Sequence, residues 1–133
     1  MRLLQFFLLF MCCSVIAGCS GNVPMSGQVT YSDNGEPVSR GTVVFASTTQ
    51  QARGDLDDNG RYVLGFVKEN DGLPRGTYQV YIAGTTYYEG TEENPYQKQV
   101  VLVAPQFTDP ATSGLTIVVD GSTKKFDIVV ERP

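Results

Sequence analysis

The stretch from Asp57 to Val80 reads Asp-Asp-Asn-Gly-Arg-Tyr-Val-Leu at positions 57–64 and Gly-Leu-Pro-Arg-Gly-Thr-Tyr-Gln-Val at positions 72–80. Asn59-Gly60 is a strong hairpin-turn signal, because both residues tolerate positive φ. Apolar side chains then alternate along the chain, which is typical of half-buried strands. The alternating positions are Tyr62, Leu64 and Phe66 in a first strand and Tyr78, Val80 and Ile82 in a second.

Short strands separated by turn residues continue outward from this stretch in both directions. No segment after the first twenty residues has a long apolar period of 3.6, so helices are not expected. The sequence predicts an all-β fold, an antiparallel Greek-key β-sandwich of about seven strands. The other predicted strands are Met25–Ser32, Gly41–Ser47, Gln97–Ala104, Leu115–Asp120 and Lys124–Glu131; Thr48–Asp55 is either a ragged strand or a loop, and Gly84–Pro95 and Pro105–Gly114 are loops.

The start of the chain has the pattern of a secretory signal peptide. A mostly apolar run follows Arg2 and extends from Leu3 to Ala17, which is shorter than a membrane-spanning helix usually requires. It ends in Val-Ile-Ala-Gly-Cys-Ser at positions 15–20. Small residues directly before a Cys resemble the lipobox of bacterial lipoproteins. The alternative is an uncleaved anchor with a chance cysteine.

The lipobox resemblance implies an exported protein with a lipid anchor on the membrane. It divides the chain into a signal peptide (1–18), a short tether (19–24) and a folded domain (25–133). Cys19 would carry thioether-linked diacylglycerol and an amide-linked acyl chain such as palmitate, and two or three chains hold a protein stably where one does not. Ser20, in place of Asp, favours the outer membrane of the cell envelope, with the domain facing the periplasm or the cell surface.

Cysteine usage and charge exclude several classes of function. All three cysteines, Cys12, Cys13 and Cys19, lie at the start, so the folded part has no thiol for a disulfide, a metal or a nucleophile. The net charge is −4, and Lys124-Lys125 is the one pair of adjacent basic residues. Nucleic-acid binding therefore lacks its electrostatic footprint.

The sequence also argues against catalysis. It contains no His, which is the usual general base at neutral pH and the commonest metal ligand. Glu92 and Glu93 are adjacent in a predicted loop, so nothing places the two carboxylates on either side of a scissile bond. A solvated acidic loop is the simpler interpretation. We expect neither an enzyme nor a cofactor.

Three groups of residues carry a resemblance to a known family. They are Ser26–Tyr31 with Gly35–Val38 and Gly41–Phe45, then Asp57–Tyr62 with Gly76–Val80, and last Asp109–Thr116 with Phe126-Asp127. The first two groups resemble the carboxypeptidase regulatory-like domain, a transthyretin-like (prealbumin-like) β-sandwich. All three together resemble small bacterial lipoproteins that consist of one such domain. The resemblance implies a structural or protein-interaction module, although the fold itself hosts many unrelated functions.

The same fold also occurs in transthyretin-like hydrolases that open a urate-derived ring. Those enzymes depend on His residues and on a C-terminal Tyr-Arg-Gly-Ser. This chain has no His and ends in Val-Glu-Arg-Pro. The resemblance therefore does not extend to that activity.

Three tyrosines form a candidate ligand-binding site. Tyr87 and Tyr88 lie within the predicted loop Gly84–Pro95, and Tyr96 directly follows it. Exposed aromatic residues on a loop can stack on sugar rings or anchor a protein partner. The alternative is that two of the three pack against the sandwich edge. The absence of Trp from the sequence weakens the glycan interpretation.

The segment before the first turn is a candidate metal site. Asp55, Asp57 and Asn59 match the opening of a calcium-binding EF-hand loop, D-x-D-x-N-G. The closing position, which requires a bidentate Glu, is Phe66. The alternative is a hairpin turn in which the Asp and Asn side chains cap their own backbone.

Two functional hypotheses follow. The first is a membrane-tethered, non-enzymatic β-sandwich lipoprotein of the cell envelope that acts as a structural or protein-interaction module. The second is an extracytoplasmic module that binds a glycan or another ligand through the Tyr-rich segment 84–96. A partner would thus be an envelope protein or a glycan, and not a nucleic acid.

Overall fold

The computed structural model describes residues 21–133. The predicted signal peptide (1–18) and the predicted lipidation site Cys19 lie outside these residues. The described chain forms eleven strands and one short 3-10 helix. The strands are β1 (Asn22–Val23), β2 (Ser26–Tyr31), β3 (Thr42–Ala46), β4 (Gln51–Asp55), β5 (Arg61–Val63), β6 (Leu73–Pro74), β7 (Gly76–Ala83), β8 (Thr86–Glu89), β9 (Lys98–Val101), β10 (Leu115–Val119) and β11 (Ile128–Val130), and the 3-10 helix is Pro105–Thr108.

Two sheets form a β-sandwich, as the alternating residues predict. One sheet has the strand order β10-β7-β3-β4 and the other has the order β11-β2-β5, so together they hold seven strands. Two-stranded ribbons, β1-β6 and β8-β9, flank them. Strands distant in sequence are neighbours in both sheets, as Greek-key connections require.

One strand pair departs from the predicted antiparallel arrangement. Strand β11 runs parallel to β2, with Ile128 opposite Val29 and Val130 opposite Tyr31. The strands are parallel because the connection from β10 to β11 crosses from one sheet to the other. Strand β10 ends beside the start of β7, with Val119 opposite Gly76, and the chain then crosses to the second sheet at that same end, where β2 begins.

The predicted apolar alternation describes the core correctly, except at Phe66. Tyr78, Val80 and Ile82 are fully buried, and so is Leu64. Phe66 is 37% exposed because β5 ends at Val63 and the chain turns into a loop before Phe66. At the centre of the core, the Phe45 ring lies 6.4 Å, 6.3 Å and 5.8 Å from the rings of Tyr62, Tyr78 and Phe126.

Segments without an alternating apolar face were harder to assign from sequence. The predicted loop Gly84–Pro95 contains β8, which pairs with β9 to form a hairpin. Both strands are largely exposed, so no buried face marks them in the sequence. The ambiguous segment Thr48–Asp55 contains β4, and its buried residues are the small Ala52 and Gly54.

The predicted tether (19–24) overlaps the sandwich. Asn22 and Val23 pair with Pro74 and Leu73, and the Val23 side chain is only 3% exposed. A two-residue strand has no periodicity, so this pairing could not be predicted from the sequence. Strand β1, three residues after Cys19, is therefore part of the folded domain.

The two sheets are joined along one edge. The backbone groups of Arg53 and Gly65 exchange two hydrogen bonds, of 3.0 Å and 2.9 Å, which connects β4 to the residues that follow β5. This approach requires glycine at position 54, where an added Cβ would lie 2.4 Å from the Val63 carbonyl oxygen. The edge formed by β4 and β5 is thus closed by main-chain contacts.

The strand directions define two ends of the sandwich. We call the end that contains β1 the N-terminal end; β2 and β7 begin there, β5 and β10 finish there, and the loop Gly65–Gly72 lies beside β1. The opposite end contains the turns at 33–37 and 57–60 and the β8-β9 hairpin. The candidate tyrosines and the candidate metal ligands lie toward this opposite end.

We predict that Tyr78→Phe destabilises the sandwich and that Tyr81→Phe does not. The Tyr78 hydroxyl donates to the Pro74 carbonyl at 2.7 Å and accepts from Gln50 Nε2 at 2.9 Å, and the residue is fully buried. Losing these bonds should cost about 1–3 kcal/mol of unfolding free energy. The half-buried Tyr81 accepts one bond from Gln51 Nε2 at 3.0 Å, so its loss should cost less than about 0.5 kcal/mol. Urea unfolding measures both, and equal losses would contradict the assignment.

Candidate functional site

The β8-β9 hairpin brings two of the three candidate tyrosines together. Tyr88 and Tyr96 are 52% and 73% exposed, and their rings meet edge to face, with centroids 5.4 Å apart and planes at 84°. Adjacent residues on a strand point to opposite faces, so Tyr87 lies on the other side of the ribbon. It is half-buried, with the Arg40 guanidinium 4.5 Å from its ring centroid.

Backbone and side-chain contacts hold the hairpin in place. Strands β8 and β9 pair over four residues, with Tyr88 opposite Gln99. The tip closes through the Thr91 N–H, which donates to the Asn94 carbonyl at 3.1 Å. An added Cβ at Gly90 would lie 2.0 Å from that same carbonyl oxygen, so only glycine fits. At its base, the Tyr31 hydroxyl donates to the Leu102 carbonyl at 2.7 Å and ties the ribbon to β2.

The tyrosine pair offers a preformed surface for a ligand. An edge-to-face pair exposes one ring face and two phenol groups, and such aromatic contacts contribute about 0.5–1.5 kcal/mol beyond the area that they bury. Glu92 and Glu93 are exposed at the tip of the same hairpin, whereas Glu89 lies on the opposite face, where it accepts from the Tyr87 hydroxyl at 3.3 Å. The surface therefore suits a ligand with an apolar face and hydroxyl or cationic groups.

The two carboxylates of the candidate metal site, Asp55 and Asp57, accept hydrogen bonds from different partners, and Asn59 takes part through its backbone N–H. Asp55 Oδ1 accepts from the Thr42 hydroxyl at 2.7 Å. Asp57 Oδ1 accepts from the backbone N–H groups of Asn59 and Arg61, at 2.8 Å and 2.9 Å. Within residues 21–133, no three acidic side chains converge closely enough to hold a metal ion. The geometry is that of an Asp-capped hairpin turn.

A groove beside the closed edge was not anticipated from sequence. It has a volume of about 430 Å³ and lies between β4, β5 and the loop that follows. Its charged lining combines Arg53 and Arg61 with Asp55, Asp57 and Glu69. These residues come from β4, β5, the turn between them and the loop after β5, which meet only through the fold, so no motif marks them. The charged residues that line the groove are all exposed.

Tyr62 and Asp71 are among the titratable groups whose pKa values are shifted away from neutrality. Burial raises the pKa of the Tyr62 phenol, with a smaller contribution from the Asp127 charge, and the hydroxyl donates to the Phe126 carbonyl. The backbone N–H groups of Phe66, Lys68 and Val67 lower the pKa of Asp71. Tyr62 therefore stays protonated and Asp71 stays ionised at neutral pH.

Comparison with solved structures places this architecture among known β-sandwiches. The chain resembles a variant form of BcpA, the major pilin subunit of Bacillus cereus, with a TM-score of 0.51 and 15% identity over 84% of this chain and 30% of that chain. The chain thus spans under a third of the pilin subunit's length. At this identity the likeness concerns the fold alone.

Two further structures were found at lower similarity. They are another structure of BcpA, with a TM-score of 0.48 and 15% identity over 84% of this chain and 30% of that one, and a DUF3823 family protein from Bacteroides ovatus, with a TM-score of 0.46 and 16% identity over 84% and 45%. No protein-family profile and no curated protein matches the chain. In the part of the chain that the structure covers, no helix has the length and apolar character to span a membrane.

We predict that Asp57→Ala destabilises the protein whether or not calcium is present. The substitution removes the acceptor for two backbone N–H groups, and losing a capping side chain costs about 1 kcal/mol. Thermal unfolding with and without CaCl2 measures this, with Asp58→Ala in the same turn as the matched control. A calcium-dependent rise in Tm that Asp57→Ala abolishes would instead establish a metal site at Asp55, Asp57 and Asn59.

Proposed function

We propose that this protein is a lipid-anchored, non-enzymatic β-sandwich of the cell envelope that acts as a structural or protein-interaction module. The resemblance to single-domain lipoproteins with a carboxypeptidase regulatory-like fold supports this proposal, as does the β-sandwich itself. The neighbouring structure is named as a major pilin subunit, and a pilin subunit is a structural protein. That parallel rests on a shared fold and not on a shared sequence.

The observation that carries the proposal is the position of the lipobox-like segment. Val15–Cys19 ends three residues before Asn22, which is already part of β1. Three extended residues span at most about 10 Å. A diacylglyceryl group on Cys19 would therefore hold the sandwich directly at the bilayer, without a flexible stalk. Ser20 favours the outer membrane within such an envelope.

We predict that Cys19→Ala abolishes acylation and membrane attachment. The thioether bond requires the Cys19 sulfur, and an anchor with two or three acyl chains is stable where one is not. Cells that express the full chain would be grown with alkynyl palmitate, and the label and the membrane fraction would be measured. Cys13→Ala is the matched control, since it precedes the cleavage point and should keep the label. Undiminished labelling of Cys19→Ala would refute the proposal.

A second candidate function is ligand binding by the Tyr88–Tyr96 pair. It is favoured by one observation: two large aromatic side chains remain exposed and in edge-to-face contact on a closed hairpin. Exposed aromatic pairs of this kind stack on sugar rings or serve as anchors for a protein partner. The ligand would be an envelope glycan or a partner with a complementary side chain.

We predict that envelope polysaccharide binding, if this pair mediates it, falls at least tenfold in the double variant Tyr88→Ala plus Tyr96→Ala. Each lost stacking contact is worth about 1 kcal/mol, and about 1.4 kcal/mol corresponds to a factor of ten. Tyr87→Phe is the control, because Tyr87 faces the opposite side of the ribbon. Affinity measured on immobilised polysaccharide decides between the two functions. If the unmodified protein does not bind, the glycan-binding function is refuted and the structural or protein-interaction function is retained.

A further inference from the structure

Strand β10 forms an open edge of the larger sheet. It pairs with β7 on one side, and within residues 21–133 no strand or bridge lies on its other side. All five of its side chains are uncharged, and Val118 is 62% exposed. Proteins usually protect a sheet edge with charged side chains, prolines or a covering segment. Strand β10 contains no charge and no proline, so it can accept another strand.

The other edges of the two main sheets are protected. Strand β4 contains the charged Arg53, and the bonds between Arg53 and Gly65 close the edge that β4 shares with β5. Strand β11 lies between Asp127 and Glu131, and the Glu131 carbonyl accepts from the Ala104 N–H at 2.8 Å. Among these four edge strands, β10 is therefore the one without such protection in the part of the chain that the structure describes.

The hydrogen-bond alternation of the larger sheet shows which backbone groups of β10 point outward. In an antiparallel sheet, alternate residues of a strand bond to opposite neighbours. The Ser47 N–H donates to the Gln50 carbonyl at 2.8 Å, in register with the β3-β4 pair, so the odd-numbered residues of β3 bond to β4. The even-numbered residues of β3 then bond to β7, where Ala46 lies opposite Gln79. The odd-numbered residues of β7 are therefore turned toward β3.

The same alternation continues across β7 to the open edge. The even-numbered residues of β7 bond to β10, and Tyr78 lies opposite Ile117. Thr116 and Val118, on either side of Ile117, therefore direct their N–H and C=O groups away from β7. Residues 21–133 supply no partner for these groups. Both N–H groups and both carbonyls thus form a row that an extended polypeptide satisfies.

The core beneath β10 is also incompletely covered. Leu115 and Ile117 pack against the core but are only half-buried, whereas Val80 and Tyr78, which lie opposite them on β7, are fully buried. Phe126, which precedes β11 at the corresponding edge of the smaller sheet, is half-buried as well. An added strand with apolar side chains on one face would cover the exposed parts of Leu115 and Ile117.

We infer that β10 binds an extended segment of a partner protein by strand addition. The backbone of the segment bonds to Thr116 and Val118, and every second side chain points toward Leu115 and Ile117 and is apolar. The centre of the segment is uncharged, because β10 offers no charge to pair with it. This inference rests on the proposed function and deepens it, since it names the surface through which a protein-interaction module would act.

The proposed anchor excludes a second copy of this chain as the partner. Two copies of β10 can pair antiparallel about Ile117, which preserves a two-fold axis. Strand β10 finishes at the N-terminal end of the sandwich, where Val119 lies opposite Gly76. Such pairing would turn the N-terminal ends of the two copies in opposite directions. Both copies would then not reach one bilayer through Cys19, so the partner is a different protein.

Binding of a defined peptide to the full acylated chain in detergent micelles tests the inference. The probe is the fluorescent peptide Lys-Thr-Val-Thr-Val-Thr-Val-Lys, and fluorescence anisotropy measures its affinity. A matched peptide has the same side chains, but all of its central residues are N-methylated, so it lacks the N–H groups that strand addition requires. This comparison needs no variant of the protein.

A pair of proline variants locates the binding edge. Thr116→Pro removes an outward N–H and leaves the bonds from β10 to β7 in place, and proline is tolerated at such edge positions. Gln51→Pro is the matched control, because Gln51 occupies the corresponding outward position on β4. N-methylation of the peptide and Thr116→Pro should each weaken binding at least about tenfold, since each removes backbone hydrogen bonds, whereas Gln51→Pro should leave the affinity unchanged. Urea midpoints establish that both variants are folded.

Three outcomes would overturn these conclusions in distinguishable ways. Equal affinity for the two peptides, or no binding of either, refutes strand addition at β10 and leaves the anchor intact. A dimer that sedimentation detects in the unmodified protein but not in Thr116→Pro makes a second copy the occupant and refutes the different partner. Protein without the acyl mass refutes the anchor and the exclusion of a second copy, while the peptide comparison still decides whether β10 accepts a strand.

Discussion

The contact of Phe45 with three other aromatic rings is the interaction on which the sandwich depends. Phe45 lies on β3 in the larger sheet, Tyr78 lies beside it on β7, and Tyr62 and Phe126 come from the smaller sheet. Gly27 makes this arrangement possible, since a Cβ there would lie 1.9 Å from the Phe126 carbonyl oxygen that accepts from the Tyr62 hydroxyl. The Phe45 side chain thus fills the space between the sheets. Because Gly27 has no side chain, the two sheets can pack closely around it.

The sequence was informative wherever one face of a strand is buried. Tyr78, Val80 and Ile82 alternate strictly and are all buried, so the prediction for β7 was confirmed. The β8-β9 ribbon has no buried face, and its strand residues could not be distinguished from a polar loop. In the sequence, Phe66 continues the apolar alternation of Tyr62 and Leu64. In the structure, β5 ends at Val63 and the chain turns at Gly65 into a loop, so Phe66 does not lie on a strand.

The candidate sites show the same limit of sequence reasoning. Tyr87 and Tyr88 are adjacent in sequence but occupy opposite faces, whereas Tyr88 and Tyr96 meet only because the hairpin returns the chain. Asp55, Asp57 and Asn59 share a motif, but the Asp55 carboxylate accepts from the Thr42 hydroxyl and the Asp57 carboxylate accepts from the Asn59 backbone N–H. Proximity along the chain indicated the right segments, and only the fold decides which side chains converge.

The parallel pairing of β2 with β11 has a consequence for biogenesis. Contacts in this pair join the beginning and the end of the domain, and the Gln28 N–H donates to an Asp127 oxygen 99 residues away. A sheet that needs such distant partners has a high contact order and folds slowly. The smaller sheet cannot be completed until almost the whole polypeptide has emerged. A chain built this way remains unfolded for longer than one whose contacts are local, and during that interval the extended polypeptide is accessible to whatever binds or moves it.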